Sequence, residues 1–359
     1  MKRLFYRVFQ WWFHRSPFEG VLDPKVVKRI LILRYDAIGD MIVTVPMIDY
    51  LRDLCPQAHI DVVTSPSNSQ IVEHESAIHN RYVFDRTFVG FLRLFGEMRQ
   101  RDYDLVFSLV INKTTLAGLL SNVLGGRASV IVSFEHPERR TLYQTWFNVQ
   151  VPHERGKDVM TLMQLHLVES VFGARVDASK YPLRLSLMSA HHEFAKQSIS
   201  WMTGRRVVLN ISAGNAYRMW SEPRNVELIR HLMHQQEPHT VAIIGYGERH
   251  EMAKRIAAHF PERVKAIPVG RFLDTAACLL HCDVLITPDT SMVHAASALG
   301  TPVLVMFTRK ATFINEWMPY GVPFEYVITK GRDDLEKIEP AEVMQVLDRL
   351  FLNISATAL

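Results

Sequence analysis

Asp40 stands where one apolar run ends and another begins. The stretch LRYDAIGDM, residues 33–41, passes through Gly39 and sets a carboxylate at the head of the second run. Such a carboxylate can accept the free amides of Ile42 or Val43 as a helix cap. It can equally take a proton from a hydroxyl group that attacks a bound substrate. A second candidate is LITPDTSMVHAASALGTP, residues 285–302, which reads as strand, sharp turn and helix. Asp289 and Thr290 open that helix. Free amides around Thr290, Ser291 and Met292, helped by the positive end of the helix dipole, would hold an anion such as a phosphate. An ordinary Asp/Thr cap with His294 in the core accounts for the same spacing.

Other chemistries are disfavoured residue by residue. GYGERH, starting at Gly245, has His250 where the third glycine of a dinucleotide fingerprint would stand. The Gly156-Lys157 pair is followed by Asp158 rather than Ser or Thr, so no phosphate loop of the nucleotide-hydrolase kind is present. No G-x-S-x-G nucleophile elbow occurs. Cys278 and Cys282 would share one helix face, but two thiols fall short of the four ligands of a structural zinc site, and the segment reads as core. The sequence therefore predicts no metal and no bound cofactor.

Composition sets the frame for these residues. The chain has 359 residues, 48% of them apolar, with a formal net charge of +4, which suits two globular domains and an anionic substrate and is too weak to argue for nucleic acid. Three cysteines, Cys55, Cys278 and Cys282, suit a reducing compartment, and a cytoplasmic location is expected. No apolar run reaches the roughly 18 residues a membrane-spanning helix needs.

The elements that must carry the candidates follow from periodicity. Strands are predicted at 28–35, 59–64, 81–85, 104–110 and 129–134, with helices at 41–54, 114–124 and 158–172. A second series places strands at 206–211, 240–245, 284–287 and 302–307, with helices at 225–234, 248–260, 290–299 and 340–351. Alternating strands and helices imply parallel α/β sheets, and two such series imply two Rossmann-like domains facing a central cleft. The segment 1–15 would form an amphipathic helix, with Leu4, Phe5, Val8, Trp11 and Trp12 on one side and Lys2, Arg3, Arg7 and Arg15 mostly elsewhere. Such a helix either lies in a membrane interface or packs on the protein.

Three motifs in order resemble glycosyltransferase family 9, best known for ADP-heptose:lipopolysaccharide heptosyltransferases. They are Arg34…Ile38-Gly39-Asp40…Pro46 with LRDLCPQAHIDVVT, then NISAGNAYRMWSEPRNVELI, then PDTSMVHAASALGTPVLVMF followed by Trp317 and Pro319. The resemblance runs from Arg29 to near the end of the chain and implies a GT-B fold. The expected divisions are an N-terminal segment 1–20, an acceptor domain 21–185, a nucleotide-sugar domain 190–335, and a last helix within 336–359 crossing back to the first domain.

The resemblance also implies an inverting, metal-independent transfer, with Asp40 as catalytic base on the loop after the first strand. Arg218, where the best-known relatives carry lysine, would meet the leaving diphosphate. Gly39, Gly214, Asn215, Asp289, Thr290, Ser291, Met292 and His294 would line the donor site. Ser291 replaces a glycine usual after Asp-Thr, and Ser221 a proline usual after the tryptophan, so the donor sugar stays open. The expected partners are a nucleotide sugar, ADP-heptose first, a lipid-linked or lipopolysaccharide-core acceptor, and the anionic inner face of the cytoplasmic membrane. A different nucleotide sugar serving capsule, O-antigen or glycoprotein glycan, or a non-catalytic GT-B binding module, are the alternatives.

Overall fold

The computed structural model describes residues 10–111, 114–136, 144–153, 156–309, 313–331 and 334–357. The chain divides into two compact units, residues 1–182 and 183–359.

In the first unit the strands are β1 (Arg29–Arg34), β2 (His59–Thr64), β3 (Asn80–Val83), β4 (Leu105–Ser108), β5 (Val130–Phe134) and β6 (Val149–Val151). They form one sheet in the order β3-β2-β1-β4-β5-β6, with every pair parallel. The central strands are continuous apolar runs, as parallel strands covered on both faces must be. Ile30, Leu31, Ile32 and Leu33 of β1 are fully buried. The covering helices include α1 (Ile38–Ile42), α2 (Val45–Leu54), α3 (Phe88–Met98), α4 (Thr114–Gly125) and α5 (Met160–Phe172).

The second unit repeats the plan. Its strands are β7 (Arg205–Asn210), β8 (His239–Ile244), β9 (Val264–Ala266), β10 (Val284–Pro288), β11 (Val303–Phe307) and β12 (Phe324–Ile328), in the order β12-β11-β10-β7-β8-β9 and again all parallel. Its helices are α6 (Ser189–Ile199), α7 (Glu222–Met233), α8 (Glu248–Ala258), α9 (Phe272–Ala277), α10 (Ser291–Leu299) and α11 (Pro340–Thr357). Each sheet reverses direction of winding once, between β1 and β4 and between β7 and β10. The carboxyl ends of those strands are where an open α/β sheet binds its ligand.

Two details differ from the sequence prediction. The helix predicted at 41–54 is two helices, because Pro46 cannot donate to the turn before it and the chain restarts at Val45 after Thr44. Asp40 accordingly lies inside α1 rather than on a loop. The last helix buries Val343, Leu347 and Leu350 in the second unit's core. Its Phe351 ring lies 4.3 Å beneath the Arg205 guanidinium.

The amphipathic segment lies outside the described residues as far as residue 9. Beyond that point Arg15 does not serve as a lipid-facing cation. It is buried, its Nε donating to Asn122 Oδ1 at 2.6 Å and its terminal nitrogens to the Ser129 carbonyl at 2.6 Å and the Gly126 carbonyl at 2.5 Å. A neighbouring ring, Phe13, packs edge-on against Trp146 at 6.0 Å. Burying an arginine is tolerable only with this many acceptors around it.

Candidate active site

The first unit builds its half of the site from one buried arginine. β1 ends on Arg34, which is inaccessible to solvent, and the chain turns through Tyr35, Asp36 and Ala37 into α1. Arg34 Nε donates to the Asp40 carbonyl at 2.9 Å. Its Nη1 donates to the Leu109 carbonyl at 2.6 Å and to Asp36 Oδ2 at 3.1 Å. Nη2 stands 2.9 Å from Asp40 Oδ1. A single guanidinium therefore grips the ends of β1 and β4 and holds two carboxylates.

Asp40 caps nothing. The N-cap of α1 is Ala37, without a side-chain bond, and the Asp40 carboxylate points to Arg34 and to a cavity of about 420 Å³. Tyr35, Asp36, Asp40, Arg86, Val110 and Leu116 are among the residues lining that cavity, which opens where β1 and β4 diverge. Gly39 is buried, its carbonyl accepting the Val43 amide at 3.1 Å. Arg86 Nη2 donates to the Tyr35 carbonyl at 2.6 Å and so fixes the rim. Burial pushes the Asp36 carboxyl up to about 7 against the pull of Arg34, and the nearby Asp40 charge adds to the rise.

The second unit assembles its half at the β7/β10 divergence. Asn210, the last residue of β7, donates from Nδ2 to Thr287 Oγ1 at 2.9 Å and Thr290 Oγ1 at 3.3 Å, tying the two strand ends together. The following loop carries Gly214 and Asn215 into a single turn, Ala216–Arg218. A Cβ at Gly214 would meet nothing within 4 Å, so the glycine leaves open space beside the loop. Arg218 Nη1 lies 3.2 Å from Asp289 Oδ2, while its Nε is buried without a hydrogen-bond partner.

Thr290, not Asp289, caps α10: its hydroxyl accepts the Met292 amide at 3.3 Å. Asp289 instead pairs with Arg218. Burial raises the Asp289 carboxyl above its ordinary range and Arg218 opposes the rise. Arg218, Asp289, Thr290, Ser291 and Met292 thus share one corner of the second unit, with Gly214 and Asn215 on the loop leading to it. His294, one turn into α10, is buried with its ring edge-on to Trp317 at 5.8 Å. Trp220 is core: its Nε1 donates to the Leu335 carbonyl at 3.0 Å, and the Ser221 amide that follows is bonded to the Glu336 carboxylate.

Among the described residues no group of three or more His, Cys, Asp or Glu side chains could hold a metal ion. All three cysteines are buried, and burial raises each thiol pKa. Sequence reasoning missed Asp36 and Asn210. Asp36 was visible as a second carboxylate four positions before Asp40; Asn210 opens the motif NISAGNAYRMWSEPRNVELI, but its partners, 77 and 80 residues away, left its role unread.

The family model of glycosyltransferase family 9 (heptosyltransferase) matches residues 91–338. Lipopolysaccharide heptosyltransferase 3 of Escherichia coli is 21% identical over 345 residues, covering 87% of this chain and 96% of that protein. The crystal structure of a family 9 glycosyl transferase from Veillonella parvula superposes with a TM-score of 0.75 at 18% identity, covering 93% of this chain and 100% of that one. The E. coli heptosyltransferase WaaC, solved with ADP-2-deoxy-2-fluoro heptose, gives 0.66 at 18% identity, covering 89% and 99%. At these identities the structural likeness is one of fold, the GT-B fold with its two parallel α/β units.

Proposed function

We propose, from the premise that this chain belongs to glycosyltransferase family 9, that it moves a heptose from ADP-heptose to a lipopolysaccharide-core or other lipid-linked glycan. The reaction inverts the anomeric carbon and needs no metal ion. The observation that carries this reading is the placement of Asp40, a non-capping carboxylate on a cavity wall at the sheet's switch point. There it removes the proton of the acceptor hydroxyl as that oxygen attacks the anomeric carbon.

The leaving diphosphate gains charge as the C–O bond breaks. Arg218 and the first amides of α10 are the groups that would be better matched to that state than to the bound donor. The relatives named for heptosyl transfer, and the WaaC structure with an ADP-heptose analogue, support this donor. Ser291 bears on the choice of sugar, because its side chain narrows the room at the helix start. A thermal-shift comparison of ADP-heptose, GDP-sugars and UDP-sugars tests the assignment, since a ligand that binds only the folded state raises the melting temperature. ADP-heptose should give the largest rise and support transfer in excess EDTA. A larger rise with a GDP- or UDP-sugar would move the chain to another donor.

The same reading places the enzyme at the inner membrane face. No helix among the described residues is long and apolar enough to cross a membrane. A peripheral contact is supported by α3, whose outer side carries Phe88, Val89, Leu92 and Phe95 at 75, 65, 51 and 37% exposure. Arg93 and Arg99 are exposed beside them, and α3 begins two residues after Arg86 at the cavity rim. Trp11 and Trp12, at 79 and 63% exposure, are further aromatic surface of this unit.

Apolar side chains of this kind insert at the headgroup boundary, and each basic charge adds about 1 kcal/mol near anionic lipid. Replacing Phe88 and Leu92 together by serine should weaken binding to phosphatidylglycerol-rich vesicles roughly tenfold or more, at about 0.8 kcal/mol per buried CH2. Raising salt should weaken it further. Transfer to a soluble acceptor fragment should stay unchanged. Equal vesicle binding by the double variant would remove α3 from the membrane contact.

A further inference from the structure

We propose that Asp36 is the counter-carboxylate of the catalytic base, acting through Arg34 to keep that buried cation compensated when Asp40 takes the acceptor's proton. The proposal rests on the reading of Asp40 as base and goes beyond it by giving the second carboxylate a task. Its foundation is geometric. One guanidinium with no solvent exposure meets Asp36 Oδ2 at 3.1 Å and Asp40 Oδ1 at 2.9 Å. The other Asp36 oxygen, Oδ1, is out of reach of solvent and accepts no hydrogen bond. Both carboxylates line the same cavity.

The need for a second carboxylate follows from what proton transfer does to this cluster. An arginine cannot lose its proton, so the positive charge of Arg34 is permanent. As the acceptor oxygen bonds to the anomeric carbon, its proton goes to an Asp40 oxygen. The electron pair of the broken C–O bond leaves with the diphosphate. Asp40 is then neutral, and without another anion Arg34 would be a buried, unpaired charge, which is among the costliest arrangements in a protein interior.

Asp36 removes that cost. If it carries a proton beforehand, that proton passes to water in the cavity as Asp40 becomes neutral, and Asp36 takes over as partner of Arg34. The carboxyl is suited to the exchange, because burial and the Asp40 charge raise its pKa toward neutrality while Arg34 holds it down. The charged groups facing Asp36 are Arg34 from β1, Asp40 from α1 and Arg86 from the segment after β3. Ser65, in the segment after β2, donates from Oγ to the Asp36 carbonyl at 3.0 Å and is polar but uncharged.

The test is kcat against pH for wild type, Asp36→Asn and Asp36→Glu, with donor KM and melting temperature measured alongside. Asp36→Asn should lower kcat about 10- to 100-fold, less than the roughly 10²- to 10⁴-fold loss of the base itself, and leave donor KM within about threefold. Its acid limb should move, because the Asp36 carboxyl that burial pushes up to about 7 no longer titrates in the variant. Asp36→Glu, which keeps a carboxylate, should recover part of the rate. Several results would overturn the proposal. They are an Asp36→Asn enzyme with wild-type kcat and limb, a lower kcat with an unmoved limb, or a collapse of the melting temperature in both variants. Wild type that transfers from no nucleotide sugar would instead refute the functional reading on which the proposal stands.

Discussion

Asp40→Asn is expected to abolish transfer while leaving the fold and donor binding nearly intact. The amide matches the carboxylate in size and cannot accept the acceptor's proton, so the loss should be of the order of 10²- to 10⁴-fold, the usual scale for general base catalysis. The fold should survive because Arg34 keeps three of its four described partners in the variant. It still donates to the backbone carbonyls of Asp40 and Leu109, at 2.9 and 2.6 Å, and to Asp36 Oδ2 at 3.1 Å. Single-turnover transfer, paired with donor-induced thermal shift, separates the two effects. Turnover near that of wild type would take the base role from Asp40. A loss of donor binding with the loss of rate would mean that the carboxylate shapes the nucleotide site instead.

How far this could be read from the chain depends on how local each signal is. The inner strands were legible because a parallel strand buried on both faces is an unbroken apolar run, and β2 falls at 59–64 as periodicity placed it. The edge strands β6, β9 and β12 were not, being short or half exposed and therefore mixed in composition. Helix α3 escaped for a different reason. Its apolar and polar residues do segregate at helical spacing, but Gly90 and Gly96, poor helix formers, interrupt the run.

The same distinction separates the site residues. Asp40 and the α10 start lie in contiguous motifs; the structure takes Asp40 away from any cap and makes Thr290 an ordinary cap of α10. What the chain could not display was pairing across the sheet. Arg34 reaches Leu109, Asn210 reaches Thr287 and Thr290, and Arg218 reaches Asp289, each from one side of a switch point to the other. These contacts exist only once parallel strands far apart in sequence lie side by side. The swap of roles in the second unit shows the consequence. Asp289 and Thr290 both read as helix openers, but Arg218, 71 residues upstream, takes the Asp289 carboxylate and leaves the cap to Thr290.

That pairing decides what Arg218→Ala should do. Removing the guanidinium takes away a cation from the place where the diphosphate charge would develop, and loss of one such electrostatic donor costs roughly 2–4 kcal/mol, or about 30- to 1,000-fold in turnover. The variant also strips Asp289 of its counter-charge. Burial already raises that carboxyl, and Arg218 is the group that holds it down. In the variant Asp289 should therefore protonate at higher pH than in wild type, and the residual activity should become more dependent on pH. Arg218→Lys keeps the charge but not the two-pronged geometry. It should retain Asp289 as a carboxylate and recover more of the rate than alanine does. Measuring kcat and donor KM for both variants across pH distinguishes the possibilities. A fall in kcat, partly restored by lysine, places Arg218 on the leaving group. A change confined to acceptor KM would put the residue on the wrong substrate.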